Sequence, residues 1–402
     1  MHDRVSVKAG AAQVGGPSPW LVTVIAVATG ALVANLYYAQ PLIASIAPEI
    51  GVSPDLAGSV VSIGQIGYGV GLFLLVSLAD LIENKRLVLT TVALTIVGLI
   101  GAAVSTAAAP FFAAAFLIGL SSTGAQVLLP FVAHLVPEAR RGRVLGNVMA
   151  GLLTGIMLAR PLSLFIAASF GWRAVFWCSA ALMVAIGLTL ARMMPRHRPR
   201  SGLHYGEILA SMAGLLRGMP VLRRRAVYQG LMFAAFNMFW TAAPIMLADR
   251  FHLSQQGIGL FALAGAGGAL AAPVVGRLAD RGFLRSLTVG AMAVLGLSFY
   301  ATGWAAAAGA LVALVLLTVL LDAAVQTNQI TSQRIIFAVP AEKRGRVNAI
   351  YMTVVFIGGA LGSMLGTLTY HAGGWTGTAT AGGAIGLLAL ILFATERVSS
   401  RR

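Results

Sequence analysis

The sequence has few charged side chains. Only 10% of its 402 residues are Asp, Glu, Lys or Arg, whereas 58% are hydrophobic and the mean hydropathy is +0.87. A water-soluble domain of this length has too little interior to bury so much apolar surface, which excludes a soluble protein. The apolar residues form long runs, and a helix needs about 20 of them to cross a hydrocarbon core about 30 Å thick. The composition therefore predicts an all-α polytopic membrane protein.

Cysteine, acidic residues and catalytic motifs are also scarce or missing. The single cysteine, Cys178, lies inside an apolar run and cannot form an intramolecular disulfide. The sequence has no P-loop, nucleophile elbow or metal-ligand spacing. We therefore expect no metal, no cofactor, no ATP-driven pumping and no enzyme activity. The net charge of +16 could indicate a nucleic-acid partner, but the basic residues lie between the apolar runs, which excludes a basic nucleic-acid footprint.

Twelve apolar runs are long enough to be membrane spans, and together they would use roughly 240 residues. We place them at residues 20–43, 56–79, 87–107, 110–135, 144–169, 174–194, 226–248, 256–279, 286–305, 309–337, 346–370 and 376–394. With both termini in the cytoplasm, Arg173 and Arg250 face outside and Arg160 lies within a span, while all other Lys and Arg lie on the inner side. Because cytoplasmic loops carry the excess of Lys and Arg, this distribution predicts a multi-pass protein of the cell (inner) membrane with both termini cytoplasmic.

The two halves of the chain resemble each other. Residues 136–144 (VPEARRGRV) return at 339–347 (VPAEKRGRV), a displacement of 203 residues. The same displacement relates Gln126 to Gln329 and Pro41 to Pro244, and a shift of 202 relates Asn35 to Asn237. Several matches at one displacement indicate an internal duplication, in which a binding site lies near mid-membrane where the copies meet. We therefore expect two pseudo-symmetric bundles of six transmembrane helices.

This duplication divides the chain into five parts. We predict a cytoplasmic tail at 1–19, a six-helix bundle at 20–194, a cytoplasmic linker at 195–225, a second bundle at 226–394 and a tail at 395–402. Apolar residues recur in the linker at helical spacing, at Tyr205, Ile208, Leu209, Met212, Leu215 and Leu216. They predict an amphipathic helix on the inner leaflet. Docking of the linker to another protein is the alternative.

Arg160 and Asp322 are the only Asp, Glu, Lys or Arg residues that fall well inside the predicted spans. A lone charge at the bilayer centre costs at least ~2.5 to 3.5 kcal/mol, so each side chain should face a partner or water. They could face each other, and protonation of Asp322 would then break the pair and couple protons to conformation. Two alternatives remain open: both charges bind the substrate, or they form a fixed structural ion pair.

Amide and aromatic side chains are concentrated in four of the spans. The candidates for binding a small molecule are Asn35, Tyr37, Tyr38 and Gln40 in the first span, Gln126 in the fourth, Asn237 and Trp240 in the seventh, and Gln326 and Gln329 in the tenth. Amides bond to hydroxyl groups and aromatic faces cover apolar carbon, which suits a polar or amphipathic molecule. Gln65, Tyr68 and Tyr351 are further candidates. The alternative role is hydrogen bonding between helices.

One loop resembles a family signature. Residues 276–282 (GRLADRG) are similar to the start of the signature loop of the major facilitator superfamily, and the loop after the second span keeps Asp80, Lys85 and Arg86. Residues 34–41 (ANLYYAQP) and 171–176 (GWRAVF) resemble bacterial members grouped with sugar-efflux and drug:proton antiporters. The resemblance covers nearly the whole chain.

The resemblance implies a secondary transporter that works by alternating access. It implies gating roles for Asp80, Asp280 and Arg281 at the inner side, and proton-coupled export of a small organic molecule such as a drug, sugar or metabolite. A proton-coupled importer or facilitator of a sugar or organic acid is one alternative, and a receptor or scaffold that transports nothing is another. The expected partners are a small-molecule substrate, protons and the bilayer, and we expect a monomer.

Overall fold

The structure is a computed structural model that describes residues 18–79, 81–196, 198, 204–269 and 271–396. Within these residues every regular element is helical. The helices are α1 (Pro19–Ala34), α2 (Ile43–Glu49), α3 (Ser59–Leu78), α4 (Asn84–Val104), α5 (Ala108–Ser122), α6 (Gly124–Leu135), α7 (Glu138–Phe170), α8 (Trp172–Met193), α9 (Tyr205–Gly218), α10 (Pro220–Phe251), α11 (Gln255–Ala262), α12 (Ala264–Ala269), α13 (Ala272–Asp280), α14 (Leu284–Ala307), α15 (Leu311–Ile336) and α16 (Ala341–Ala394). Short 3₁₀ turns, Gln40–Leu42 and Pro54–Leu56, precede α2 and α3.

These helices make the twelve predicted crossings. In the described part of the chain, nine helical stretches are long and apolar enough to cross a membrane. The last of them, α16, reverses at Gly373 and Gly374 and therefore crosses twice; Gly374 has φ 60°, a value that favours glycine. The shorter helices α1 and α2 form the first crossing, and α11, α12 and α13 form the eighth, which completes the count.

The first and eighth spans are broken, although the hydropathy pattern predicted continuous helices. In the first span α1 ends at Ala34, and the chain becomes helical again only at the turn that begins with Gln40 and Pro41. Proline lacks the N–H that a continuous helix would use. The eighth span contains Gly265, Gly267 and Gly268, and glycine lowers helix stability by about 1 kcal/mol relative to alanine. Irregular backbone at this depth is tolerated where protein surrounds it.

The duplication is visible in helix packing. In the first half α1 packs against α7, where a Cβ on Gly155 would collide with the backbone of Gly30. In the second half α10 packs against α16, where a Cβ on Gly358 would collide with the backbone of Gly230. Gly155 and Gly358 are separated by the displacement of 203 residues. The equivalent pairs, first with fifth span and seventh with eleventh, therefore each contain a close glycine–glycine contact, as expected when small residues allow helices to approach closely in a membrane.

The bundle has two chemically different ends. At one end of the bundle Lys and Arg flank the last residues of α3, α6, α8, α13 and α15. We call this end the basic face and the other end the opposite face. Near the opposite face the halves are joined by hydrogen bonds from Gly58 N to Thr367 Oγ1 (3.1 Å) and from Ser62 Oγ to the carbonyl of Ala360 (2.6 Å). The second and eleventh spans thus hold this end of the bundle together.

The fifth and eighth spans also meet near the opposite face, where Gly259 packs on Leu164 and Phe165. Nearer the basic face, no described atom lies within 4 Å of the Cβ position of Gly146 in α7 or Gly276 in α13. Neither glycine therefore packs against a described neighbouring helix at this end of the bundle.

The linker forms the predicted amphipathic helix, α9, between Tyr205 and Gly218. Its first turn is capped by a hydrogen bond from the backbone N–H of His204 to Glu207. The apolar side chains Ile208 and Met212 are fully buried, and they pack on the basic-face ends of the second, seventh and eleventh spans. The apolar side of α9 is therefore covered by protein, whereas the sequence suggested that it would lie on the leaflet.

Candidate functional site

Arg160 lies near the middle of α7, between the two halves. Only 5% of the residue is exposed. Its Nε donates a hydrogen bond to Gln40 Oε1 (3.0 Å), and its guanidinium carbon lies 4.9 Å from the ring centre of Tyr37, 5.2 Å from Phe236 and 4.7 Å from Trp240. These distances are in the range of cation–π contacts. Arg160 Nη2 is buried and has no hydrogen-bond partner among the described residues.

Asp322 lies in the middle of α15 and is also buried. Its Oδ1 accepts a hydrogen bond from Trp240 Nε1 (3.1 Å). The glycines of the broken eighth span make room for this side chain, because a Cβ on Gly265 would lie 2.8 Å from Asp322 Oδ2 and one on Gly268 would lie 2.5 Å from Asp322 Cβ. The glycines at the break in the eighth span therefore leave the space that the buried carboxyl group occupies.

Arg160 and Asp322 do not contact each other directly, and Trp240 lies between them. No nitrogen of Arg160 comes within 4.0 Å of a carboxylate oxygen of Asp322, so the two residues form no direct ion pair in this structure. The indole N–H of Trp240 bonds to Asp322, while its ring face lies against the guanidinium group of Arg160. Trp240 therefore separates the two charges and contacts both.

A network of amides and hydroxyls connects this region across the halves. Gln40 Nε2 donates to Asn237 Oδ1 (3.1 Å) and to Thr241 Oγ1 (3.3 Å). Gln65 donates to the same oxygen of Asn237, and Thr241 bonds to Ser363 (3.2 Å). Through Gln40 and Arg160 the network links the first, second, fifth, seventh and eleventh spans at one depth.

Six predicted residues thus lie together, and we call them the central cluster: Tyr37, Gln40, Arg160, Asn237, Trp240 and Asp322. Position alone does not assign their roles, which remain predictions. All six are buried.

The other predicted binding residues lie outside the central cluster. Asn35 turns into the first bundle, where it accepts a hydrogen bond from Ser179 (2.6 Å), and Tyr38 is buried beside the same hydroxyl. Gln126 donates to Tyr68 (3.1 Å) on the basic-face side. We find Gln329 half-buried near Met352 and Tyr351, and Gln326 half-buried with no hydrogen bond in the described structure.

Two of the residues predicted to act in gating, Asp280 and Arg281, lie at the basic face. Asp280 ends α13 and accepts a hydrogen bond from Arg334 at the end of α15, so both partners belong to the second half. The side chain of Arg281 is exposed. Asp80 lies outside the described residues.

Sequence reasoning missed three residues that complete this region: Phe236, Thr241 and Ser363. Two of them had a signal in the sequence. Phe236 precedes Trp240 by one helical turn, so both rings share a helix face. Ser363 is the counterpart of Arg160 at the displacement of 203 residues. The polar pair Gln229 and Asn328 (2.7 Å), buried within the second half, was not singled out as a pair either.

The central cluster is closed toward the opposite face. The cavity on that side of Arg160 and Trp240 has a volume of only about 10 Å³, and its wall includes Leu164, Pro244 and Phe261. This is room for about one water molecule.

Comparison with known proteins identifies the family. The sequence profile of the Major Facilitator Superfamily matches residues 24–336 and 226–402. The uncharacterized transporter YgaY of Escherichia coli O157:H7 is 39% identical over 377 residues, which cover 94% of this chain and 95% of YgaY. A probable transporter of Streptomyces coelicolor is 31% identical over 379 residues, which cover 92% of this chain and 86% of that protein. The crystal structure of a D-xylose–proton symporter has a TM-score of 0.77 at 16% identity, covering 94% of this chain and 97% of that one. The chain therefore belongs to the Major Facilitator Superfamily and is a multi-pass membrane transporter rather than an enzyme.

Proposed function

We propose that this transporter couples the movement of a small organic molecule to protons, and that Asp322 takes up and releases the proton. The observation that carries the proposal is the burial of Asp322 at mid-membrane with one neutral hydrogen-bond donor and no direct ion pair. An ionised carboxylate is costly in such a place, and protonation removes that cost. A change in the surroundings of Asp322 during the transport cycle would therefore change its affinity for the proton.

We propose alternating access as the mechanism. In this proposal the crevice between the halves opens at the basic face while the second and eleventh spans, which are hydrogen-bonded near the opposite face, close that end. Because inner loops carry most Lys and Arg, the basic face is the cytoplasmic one in this proposal, with both termini inside and the bacterial inner membrane as the location. The complete central cluster belongs to one chain, which supports a monomer as the working unit.

The proposal includes gating at the basic face. Asp280 is paired with Arg334 of its own half in this conformation. We propose that Asp280 and Arg281, with Asp80, bind the other half when the basic face closes. An exposed ion pair contributes only about 0 to 1 kcal/mol, so an exchange of partners costs little.

Export is the direction that we propose first. A chloramphenicol resistance protein of Streptomyces lividans is 26% identical over 267 residues, which cover 65% of this chain and 67% of that protein. Its name supports export of a toxic small molecule. Uptake of an organic acid together with a proton is the second candidate. The buried, unpartnered Nη2 of Arg160 favours it, because a carboxylate would satisfy this donor.

The test is growth of an Escherichia coli strain without its main drug exporters, challenged with chloramphenicol and a panel of other toxic compounds. We expect the wild-type chain to protect against at least one compound and Asp322→Asn to abolish this protection, because Asn cannot exchange a proton. Asp249→Asn is the matched control, since Asp249 is exposed at the opposite face and bonds only to Tyr370.

Two outcomes would contradict the proposal. Full protection by Asp322→Asn, at wild-type protein levels, would remove Asp322 from proton coupling. If the chain protects against no compound, export is wrong and uptake with protons is the candidate that remains.

A further inference from the structure

We infer that the cargo is an organic monoanion, a carboxylic acid with a flat apolar body, which binds Arg160 at the same time as a proton binds Asp322. This inference rests on the proposed proton site at Asp322. It develops the second of the two directions proposed above, uptake of an organic acid together with a proton; protection in the growth test would instead support export.

The first argument is the free donor on Arg160. Gln40 occupies the Nε–H, while Nη2 is buried without a partner and the residue is only 5% exposed. A guanidinium group presents parallel N–H donors that match the two oxygens of a carboxylate. The structure supplies no carboxylate at this donor, because Asp322 bonds to Trp240 instead. A carboxylate brought by the cargo would complete the hydrogen bonding of Arg160.

The second argument is the aromatic surroundings. Three aromatic rings lie around the guanidinium group. Their centres are 4.9 Å (Tyr37), 5.2 Å (Phe236) and 4.7 Å (Trp240) from its carbon atom. Such ring faces cover flat apolar groups well. A carboxylate at Arg160 would therefore place the apolar body of the cargo next to aromatic carbon rather than water.

The third argument is that only one anion can be accommodated. Arg160 has Ser363 as its counterpart in the second half at the displacement of 203 residues, and Asp322 has Gly119 in the first. The duplication thus carries a single arginine and a single carboxyl group at this depth. A dianion would bring a second negative charge without a second cation, which is costly in a buried site.

The fourth argument concerns the charges that the cargo meets. Around Arg160 and Asp322 the first span contributes Tyr37 as an ionisable neighbour. The seventh span has no ionisable residue between Tyr228 and Asp249, the eighth has none before Arg277, the ninth has only Tyr300, and the tenth has only Asp322 before Arg334. Asp322 is therefore the group that sets the balance of charge around Arg160.

Ionised Asp322 offsets the positive charge of Arg160 and repels an incoming carboxylate. Protonated Asp322 leaves Arg160 as the only charge, so an anion binds better. By linkage the effect is reciprocal: the bound anion strengthens proton binding by the same factor. Arg160, the anion and the protonated carboxyl group together carry no net charge, which favours crossing the membrane middle as one unit.

The test compares acids with their amides, which have nearly the same shape but no charge. The probes are benzoate, phenylacetate and indole-3-acetate with the three corresponding amides. Affinity for the purified full-length protein is measured from the shift of its thermal unfolding midpoint, in a mildly acidic and a mildly alkaline buffer that both leave the acids ionised. We expect at least one acid to stabilise the protein and its amide not to, with affinity about tenfold higher in the acidic buffer, within the range typical of linked sites.

Two variants assign the effect to residues. Asp322→Asn should bind the acid with equal affinity in both buffers, because the amide mimics the protonated carboxyl group. Arg160→Gln should lose acid binding in both, and Arg250→Gln, at the opposite face, is its control. If Arg160→Gln does not fold, the comparison of acid with amide on the wild-type protein still tests whether the protein recognises the carboxylate group.

The inference is overturned if no acid of the panel stabilises the protein, if acid and amide stabilise it equally, or if acid affinity is the same in both buffers. These outcomes leave proton coupling intact when Asp322→Asn still abolishes proton-driven transport. Conversely, acid binding as expected together with acid transport that ignores a pH gradient would contradict the proposed function alone.

Discussion

At the scale of single residues, the notable feature is that the two buried charges, Arg160 and Asp322, form no direct ion pair. Trp240 contacts both, and Gln40 holds Arg160 from the other side. The sequence alone singled out Gln40, Trp240, Arg160 and Asp322, because polar groups inside apolar runs are expensive and stand out. It did not reveal that an indole lies between the charges, since residues 82 positions apart meet only through packing of the tenth span on the seventh.

Gln40→Leu tests the amide network. The change keeps the approximate size of the side chain but leaves Arg160 Nε, Asn237 and Thr241 without their bonds to Gln40. Each buried polar group left unsatisfied costs about 1 to 3 kcal/mol. We expect a lower thermal unfolding midpoint of the purified protein. Gln326→Leu is the control, and equal midpoints for both variants would show that the network does not stabilise the fold.

At the scale of helices, glycine has two distinct effects. In the eighth span it interrupts the helix and makes room for Asp322. At Gly358 and Gly362 of α16 it leaves the helix intact and brings it against α10. Composition cannot separate these effects, because both depend on what faces the missing Cβ. The same limit applies to α9: periodicity predicted its apolar side, and the packing of that side on protein depended on the positions of three other helix ends.

Gly362→Ala tests the contact between α16 and α10. The added Cβ would collide with the backbone of Ala234, which cannot move aside cheaply. Overpacking of this kind costs about 1 to 3 kcal/mol, so we expect a lower unfolding midpoint. Gly345→Ala in the same helix is the control, because no described atom lies within 4 Å of its Cβ position and alanine favours helix by up to about 1 kcal/mol. A midpoint for Gly362→Ala at or above that of Gly345→Ala would contradict the packing.

At the scale of the whole molecule, the halves are joined near the opposite face, whereas Gly146 and Gly276 of the fifth and eighth spans have no described neighbour near the basic face. A transporter that works by alternating access must break the first set of contacts in every cycle. These contacts are a few hydrogen bonds and close backbone approaches between the second and eleventh spans. Such bonds contribute about 0.6 kcal/mol each on average in membranes, which makes them suitable for repeated opening.

Locking the opposite face tests this requirement. Cysteines at Ser62 and Ala360, whose side chain and carbonyl are hydrogen-bonded at 2.6 Å, would be joined in a Cys178→Ser background by a short bis-methanethiosulfonate cross-linker, which attaches through reducible disulfides. We expect cross-linking to stop transport and reduction to restore it. The control joins Thr95 and Ser121, which are in contact within the first half, and transport should continue there. Continued transport by the locked protein would show that the opposite face need not open.

The sequence by itself determined the membrane location, the twelve crossings, the duplication and the two buried charges. It could do so because bilayer thickness sets the length of an apolar helix and because burial of charge is costly at any place in the lipid. Only the tertiary structure decided the rotation of each helix, which turned Asn35 into the first bundle and Gln40 toward Arg160. Rotation depends on contacts between residues far apart in the chain, and the apolar surroundings on all sides of a membrane helix leave little periodicity from which to predict it.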